Sequence, residues 1–315
     1  MRREMKLTDE KHARRMLADR EELAERIAWA VPSDGKVEVQ PGLTLTRLSS
    51  PSARPVHAVL EPWFCMMAQG AKDVTLGDET FHYDPEHYIL STLGVPAVGR
   101  VVEASPERPY LGVRLSLDPV MVTSVMVETG VGVTSRGEGG GVNSVGVSPL
   151  DVDLLDAVLR LVRLIDRPGD YRVVTPLITH EIIYRLLCGP QCSRLRHLAT
   201  FGGQTHRMAR AIEKLRRDFD KPLRIEDVAR ELGMSVSGFH AHFKAVTAMS
   251  PLQFQKHLRL QEARRLMLSE DLDAGEAGYR VGYDDQSHFS REYKRHFGEP
   301  PMRDVERLRE TVVLS

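Results

Sequence analysis

The sequence predicts an α+β chain in two parts: an N-terminal β-barrel with flanking helices, then a C-terminal all-α domain with two helix-turn-helix units joined by a long helix. Three observations carry this expectation. Short alternating segments, broken by Pro and Gly, run from about 37 to 117. Helical periodicity takes over from there. A turn-and-stripe pattern near residue 233 then recurs about fifty residues later.

The chain opens on MRREMKLTDEKHARRMLADREELAERIAWA, dense in both signs, and residues 8 to 30 read as a helix with an exposed, charged face. The opening has no apolar core of signal-peptide length, and no later run approaches a membrane span. A cytoplasmic protein without a membrane partner is expected. From residue 37 the period falls to two. LTLTRL alternates, VTLGDETFHY reads as a hairpin about Gly77 and Asp78, and YLGVRLSL sets Leu111, Val113, Leu115 and Leu117 on one face. Strands this short and this closely spaced suggest a small barrel or jelly roll of cupin type.

DPVMVTSVMVE, PLDVDLLDAVLRLVRLID and VVTPLITHEIIYRLL then carry the helical period. Leu154, Leu155, Val158, Leu161, Val162 and Ile165 make an apolar face suited either to packing on the barrel or to a dimer seam. SRGEGGGVNSVG, 135 to 146, is the stretch expected to be disordered. Gly202 and Gly203 mark the joint between a first domain, 1–200, and a second, 201–315.

In the second part, Ile225, Val228, Ala229 and Leu232 fall at i, i+3, i+4 and i+7, Gly233 supplies a turn, Ser235 can cap, and Phe239 and Phe243 continue the stripe. GYDDQSHFSREYKRHFG, 282 to 298, follows the same plan. Phe289, Tyr293 and Phe297 form its stripe, Asp284 or Asp285 its cap, and Tyr279 and Val281 suit the packing side of the short helix before it. Helix, tight Gly turn, helix is a helix-turn-helix signature. Phe239, Phe243, Lys244 and Pro251 answer Phe289, Tyr293, Lys294 and Pro301 at a constant offset of fifty. Gly233 and Gly282 differ by forty-nine, which puts one extra residue in the second turn. Between the copies, SPLQFQKHLRLQEARRLML begins with Ser250 and Gln253 as a capping box and Pro251 at the first helical position. About 18 residues at 1.5 Å each span roughly 27 Å. Such a rod can hold two recognition helices near the ~34 Å repeat of successive major grooves.

Double-stranded DNA is therefore the expected partner, and side-chain chemistry assigns the contacts. Arg291 can give a bidentate contact to guanine or hold a phosphate, Gln286 can pair with adenine, and Ser287 and Ser290 can meet base edges. Lys244, Lys294 and Arg295 suit phosphate neutralisation. In the first helix only Ser237 and His240 are strong hydrogen-bonding candidates, and Gly238 costs about 1 kcal/mol of helix propensity relative to Ala. That unit is expected to read shape or a thymine methyl more than a base code. Net charge is −1; residues 205–315 hold 20 Lys and Arg against 18 Asp and Glu, a net of +2, and the rest 23 against 26, a net of −3. Binding must rest on local placement of charge.

Residues 205 to 310 resemble the DNA-binding domain of the AraC/XylS family of bacterial transcription regulators, GYDDQSHFSREYKRHFG matching its second, more diagnostic helix-turn-helix. Residues 55 to 130, including EPWFCMMAQGAKDVTLGDETFHYDPEHYILSTLG, resemble the N-terminal regulatory domain of one subgroup. The resemblance implies sequence-specific regulation of transcription, controlled by a small molecule or chemical signal in the barrel through a shift of population between states. For an activator it implies RNA polymerase as a partner, and for the regulatory region a homodimer. Gly278 departs from the family pattern, which usually has Ala there.

Two other functions are separable. An enzyme using the barrel, with the helices as an appendage, would need a His-x-His pair, a following Glu and a distant His. His57, His82 and His87 are scattered, so no enzyme, metal or cofactor is expected. A constitutive DNA binder would show an affinity indifferent to small molecules. Cys188 and Cys192 with His197 resemble a fragment of a zinc site, but Gly189-Pro190 separates the thiols and no fourth ligand is visible. The P-C-H-R motif of related alkyl-transfer repair proteins is absent. Cys65 shares a strand face with Trp63 and Met67, and these three form the expected effector pocket. The thiol is either a small buried hydrophobe or a group that answers electrophiles, and the latter needs a lowered pKa.

Overall fold

The computed structural model describes residues 2–131, 143–199 and 204–313. Most of the 135–146 stretch, and the Gly202-Gly203 joint, lie outside the described residues. Helix α1 (Arg2–Ala30) precedes β1 (Gly35–Gln40), β2 (Leu43–Leu48), β3 (Val56–Leu60), β4 (Trp63–Gln69) and β5 (Ala71–Leu76). There follow β6 (Glu79–Tyr83), β7 (His87–Ser91), β8 (Val95–Glu103) and β9 (Tyr110–Ser116). Helix α2 (Pro119–Thr129) leads to β10 (Val145–Pro149), α3 (Val152–Arg163), α4 (Tyr171–Cys188) and α5 (Cys192–Ala199).

The strands form two antiparallel sheets, ordered β1-β2-β9-β4-β7-β10 and β3-β8-β5-β6, the jelly-roll form of the two expected. The expected hairpin is present: Leu76 pairs with Glu79 across Gly77-Asp78, and Gly77 has φ +59°. Strand β4 is the centre of the larger sheet and is buried on both faces. Phe64 and Met66 face a core shared with α1 and α3, whereas Trp63, Cys65 and Met67 belong to the core between the sheets.

The apolar face of α3 is consumed within the chain. Leu154, Leu155, Val158, Leu161 and Val162 are buried with Leu23 and Ile27 of α1 and Ile182 and Ile183 of α4. Of the two roles open to that face, the structure assigns packing. Its rim is closed by Glu22, which accepts from Arg26 and, through both oxygens, from Arg163.

The second half runs α6 (Gln204–Arg217), α7 (Ile225–Glu231), α8 (Val236–Thr247), α9 (Pro251–Ser269), α10 (Ala274–Arg280), α11 (Gln286–Phe297) and α12 (Pro301–Val313). Ser235 caps α8 by accepting from Gly238 N, and Asp285, one of the two candidates, caps α11 from His288 N. The Ser250–Gln253 capping box closes on both sides. The turn glycines have φ +64° at Gly233 and +90° at Gly282. The extra residue of the second turn is real, since α8 starts three residues after its glycine and α11 four. Gly278 also acquires a reason: a Cβ there would stand 2.9 Å from Cγ of Phe289. One expectation fails. Tyr279 is 77% exposed, because Ala277 and Gly278 take the packing side of α10 and leave the tyrosine facing solvent.

Candidate nucleic-acid interface and sandwich interior

The two recognition helices are oriented by their aromatic stripes. Phe289 and Tyr293 are fully buried, which turns Gln286, Ser287, Arg291, Lys294 and Arg295 to solvent on the other side of α11, with Ser290 half-buried between. Among the described residues, Arg291 and Lys294 have no side-chain ion pair or hydrogen bond, so both charges are available to a polyanion. Arg295 differs. It pairs with Glu292, which also takes Lys256 at 3.1 Å. Gln286 leans back over α10: a Cβ on Gly275 would lie 3.1 Å from its Nε2.

On α8, Ser237 and Lys244 are exposed at i and i+7, with half-buried His240 between them against the edge of Phe239. Lys244 is unpaired among the described residues. Its neighbourhood holds a feature that strand-level reading missed. The tip of the β5–β6 hairpin presses on the end of α8, where a Cβ on Gly77 would sit 2.1 Å from the carbonyl of Ala248. Asp78 and Glu79 thereby share with Ala241 and Lys244 a cleft of about 370 Å³.

What makes the two units one body was also missed. From α9, Arg259 donates through Nε to Phe219 O at 2.7 Å, and through its terminal nitrogens to Gly282 O at 2.7 Å and to the carbonyls of Asp220 and Lys221. Gln255 adds bonds to Phe219 O and Lys221 O. The second turn is thus tied to the loop before the first unit. Behind α11, the fully buried carboxylate of Asp304 accepts from the Tyr293 hydroxyl at 2.8 Å, from Arg264 and from Arg307. Nothing in the local periodicity marks Arg259, Gln255 or Asp304, because each acts over thirty residues or more, or across helices.

Trp63, Cys65 and Met67 do lie together, and all three are buried. The Cys65 sulfur is 3.6 Å from the Tyr83 hydroxyl, which has Tyr110 as a further neighbour. Burial pushes the thiol pKa up; Lys72, the Tyr83 bond, Arg114 and Lys36 pull it back only in part. That is the opposite of what an electrophile-responsive thiol requires. The same face carries unbalanced positive charge. Arg114 stands opposite Cys65 in the β4–β9 ladder, and Lys72 pairs with Tyr83. Burial lowers the Lys72 pKa, with Cys65 opposing and Arg114 adding to it; the Lys36 pKa is lowered by partial burial and by Lys72 and Arg114, although its side chain keeps solvent access. Among the described residues neither lysine has an acidic partner.

Metal chemistry finds no seat among the described residues, where no group of three or more His, Cys, Asp and Glu could hold an ion. His82 and His87 each bond an aspartate at 2.7 Å, Asp73 and Asp84 respectively. Cys188 is exposed and Cys192 half-buried, and the side chain of His197 lies outside the described residues. No helix among them is long and apolar enough to cross a membrane.

A helix-covered jelly roll joined to two tied helix-turn-helix units, each presenting a polar face with at least one cation unpaired among the described residues, defines a regulator-type chain with a regulatory and a DNA-binding domain. Residues 40–194 match the AraC-type transcriptional regulator N-terminus, and residues 228–307 a helix-turn-helix domain. The chain belongs to the AraC family. It is 29% identical over 163 residues, 51% of its length, to the HTH-type transcriptional activator RhaS of Salmonella schwarzengrund, and equally so to that of Salmonella typhimurium. The match spans 57% of the length of these relatives. ToxT from Vibrio cholerae shares the fold, with a TM-score of 0.57 at 11% identity over 84% of this chain and 97% of that one. An unsaturated fatty acid bound form of ToxT gives 0.53 at 9% identity over 84% and 94%.

Proposed function

We propose that this chain is a sequence-specific transcription regulator of the cytoplasm, an activator that meets RNA polymerase on DNA and answers a small-molecule effector held in the sandwich. The observation that carries the DNA reading is the pair of capped recognition helices whose exposed faces bear Lys244, Arg291 and Lys294 unpaired among the described residues. Arg291, Gln286, Ser287 and Ser290 read bases; Ser237 and His240 serve the first unit; Lys244, Lys294 and Arg295 position the backbone, Arg295 after leaving Glu292 to Lys256.

The effector reading rests on Lys36, Lys72 and Arg114 gathered about Cys65, Trp63 and Met67, the lysines having no acidic partner among the described residues. Such a site favours an anionic head on an apolar body, and ToxT, of the same fold, is known bound to an unsaturated fatty acid. No catalytic role is assigned. A homodimer would use α2 and α4, where Val120, Val127, Val173 and Leu177 are exposed and Glu128 and His180 join the two helices, in preference to the buried α3. The test is a titration of the full chain on its own promoter DNA with and without medium- and long-chain carboxylates. The reading expects a shift in operator affinity that Lys72→Met removes; an affinity blind to every acid would leave a constitutive binder.

A further inference from the structure

The sandwich and the second helix-turn-helix meet at three histidines that the DNA reading does not use. His57 comes from β3, His257 from α9 and His296 from the last turn of α11. The His296 ring centroid lies 4.3 Å from that of His57 and 4.5 Å from that of His257, so the three rings, tilted by 56° and 38°, run in continuous contact across the domain boundary, a tilted stack. Phe297 seals it edge-on, 4.8 Å from His57 and 4.6 Å from His296. His57 Nδ1 and His296 Nε2 are buried with no hydrogen-bond partner. In a neutral ring such a nitrogen leaves only an acceptor unmade. A proton added there becomes a buried N–H with nowhere to donate, on a ring that now carries charge.

The surrounding charges offer that proton little relief: Asp304 favours it at His57 and Glu292 at His257, but burial and the neighbouring positive charges outweigh both. From α9, Lys256 and Arg264 face the stack; Lys256 pairs with Glu292, and Arg264 lies 4.4 Å from the centre of the Phe297 ring while bonded to Asp304. From α11, Glu292 is shared between Lys256 and Arg295. From α12, Asp304 is taken by Arg264, Arg307 and the Tyr293 hydroxyl. Glu299, between α11 and α12, is held by Arg54 at 2.6 Å and by Arg307. On the sandwich side, β8 sets uncharged Val98 opposite His57. Every nearby carboxylate is already engaged by a cation.

We propose that the His57–His296–His257 stack is a proton-operated latch, which holds the sandwich on the second helix-turn-helix while neutral and releases it when protonated. Burial first, then the neighbouring cations and histidines, lowers His57 and His257 to about 4 and His296 to about 2. Released imidazoles titrate near 6.5. The docked arrangement therefore binds fewer protons, so its stability is full above about pH 6.5 and falls as pH drops below it. Each histidine contributes about tenfold per pH unit until the docked values are reached. At pH 5.5 three histidines together weaken docking by roughly a thousandfold relative to neutral pH.

The test is hydrogen exchange of the full-length chain at pH 7.5, 6.5 and 5.5, corrected for intrinsic rates, comparing β3 and the end of α11 with the α3 core. The expected result is a loss of protection at the seam of a hundredfold or more between pH 7.5 and 5.5, with α3 unchanged. His296→Phe, which keeps a ring in the stack but binds no proton, should make that dependence shallower by one proton, and His57→Gln serves the same purpose if that variant is unstable. Seam protection that is flat in the wild-type chain across this range, or that falls only together with α3, overturns the latch.

Discussion

Asp304→Ala is the perturbation whose magnitude the structure defines best. The carboxylate is 0% exposed and holds α12 to both α9 and α11 through Arg264, Arg307 and Tyr293. Arg264 is itself nearly buried, its side chain 17% exposed and its Nε 2.8 Å from the carboxylate but off the line of a hydrogen bond. Removing the acid strands this guanidinium among Phe297 and the histidine rings and unpairs the Tyr293 hydroxyl. Breaking a buried pair from one side costs about 3–5 kcal/mol. Asp304→Asn keeps an acceptor for tyrosine but loses the charge and turns an amide NH2 toward the arginines, for at least about 1.5–3 kcal/mol. Against the ~5–15 kcal/mol of an ordinary domain, the alanine variant should unfold the second unit well before the sandwich. Urea denaturation followed by hydrogen exchange in α11 and α3 separates the two. A loss below about 1 kcal/mol for Asp304→Ala would refute the view that this carboxylate organises the second unit.

Further outcomes follow from single contacts. Gly278→Ala places a Cβ 2.9 Å from the Phe289 ring, and the overpacking, about 1–3 kcal/mol, should outweigh the gain of about 1 kcal/mol in helix propensity, read as a lowered urea midpoint. Arg291→Ala should cost about 1–3 kcal/mol on the best operator and relax one base position, whereas Lys294→Ala should weaken all sequences alike and flatten the salt slope by about 1; a binding-site selection with salt titration checks both. Cys65→Ser should lower stability by about 1–2 kcal/mol through a buried hydroxyl and leave a reporter's response to electrophiles unaltered, and loss of such a response would restore the thiol-sensor reading.

The second half of the chain was legible because its determinants are local. A cap, a glycine and an i, i+4 stripe each lie within one turn of what they specify, and Ser235, Ser250, Gly233, Phe289 and Tyr293 stand where the sequence placed them. Tyr279 misled because the packing surface of α10 is made of Ala277 and Gly278, residues too small to register as apolar. In the sandwich the strands were visible but their burial was not. WFCMMA is buried on both faces, so its alternation is silent, and the α3 stripe reads the same whether it packs inside one chain or between two. The domain seam was invisible altogether. His57 is about 200 residues away from His257 and about 240 from His296, and no period links an isolated strand histidine to two helices that come so much later.

The central claim, that one chain reads two groove segments through α8 and α11, is met most directly by hydroxyl-radical footprinting of the full-length protein on promoter DNA beside its own gene at low salt. Two protected segments on one face of the duplex are predicted, centred about 10 base pairs apart, the spacing of successive major grooves. Arg291→Ala should erase the segment under α11 while the other persists. A single protected segment, or none at any salt concentration, would contradict the account.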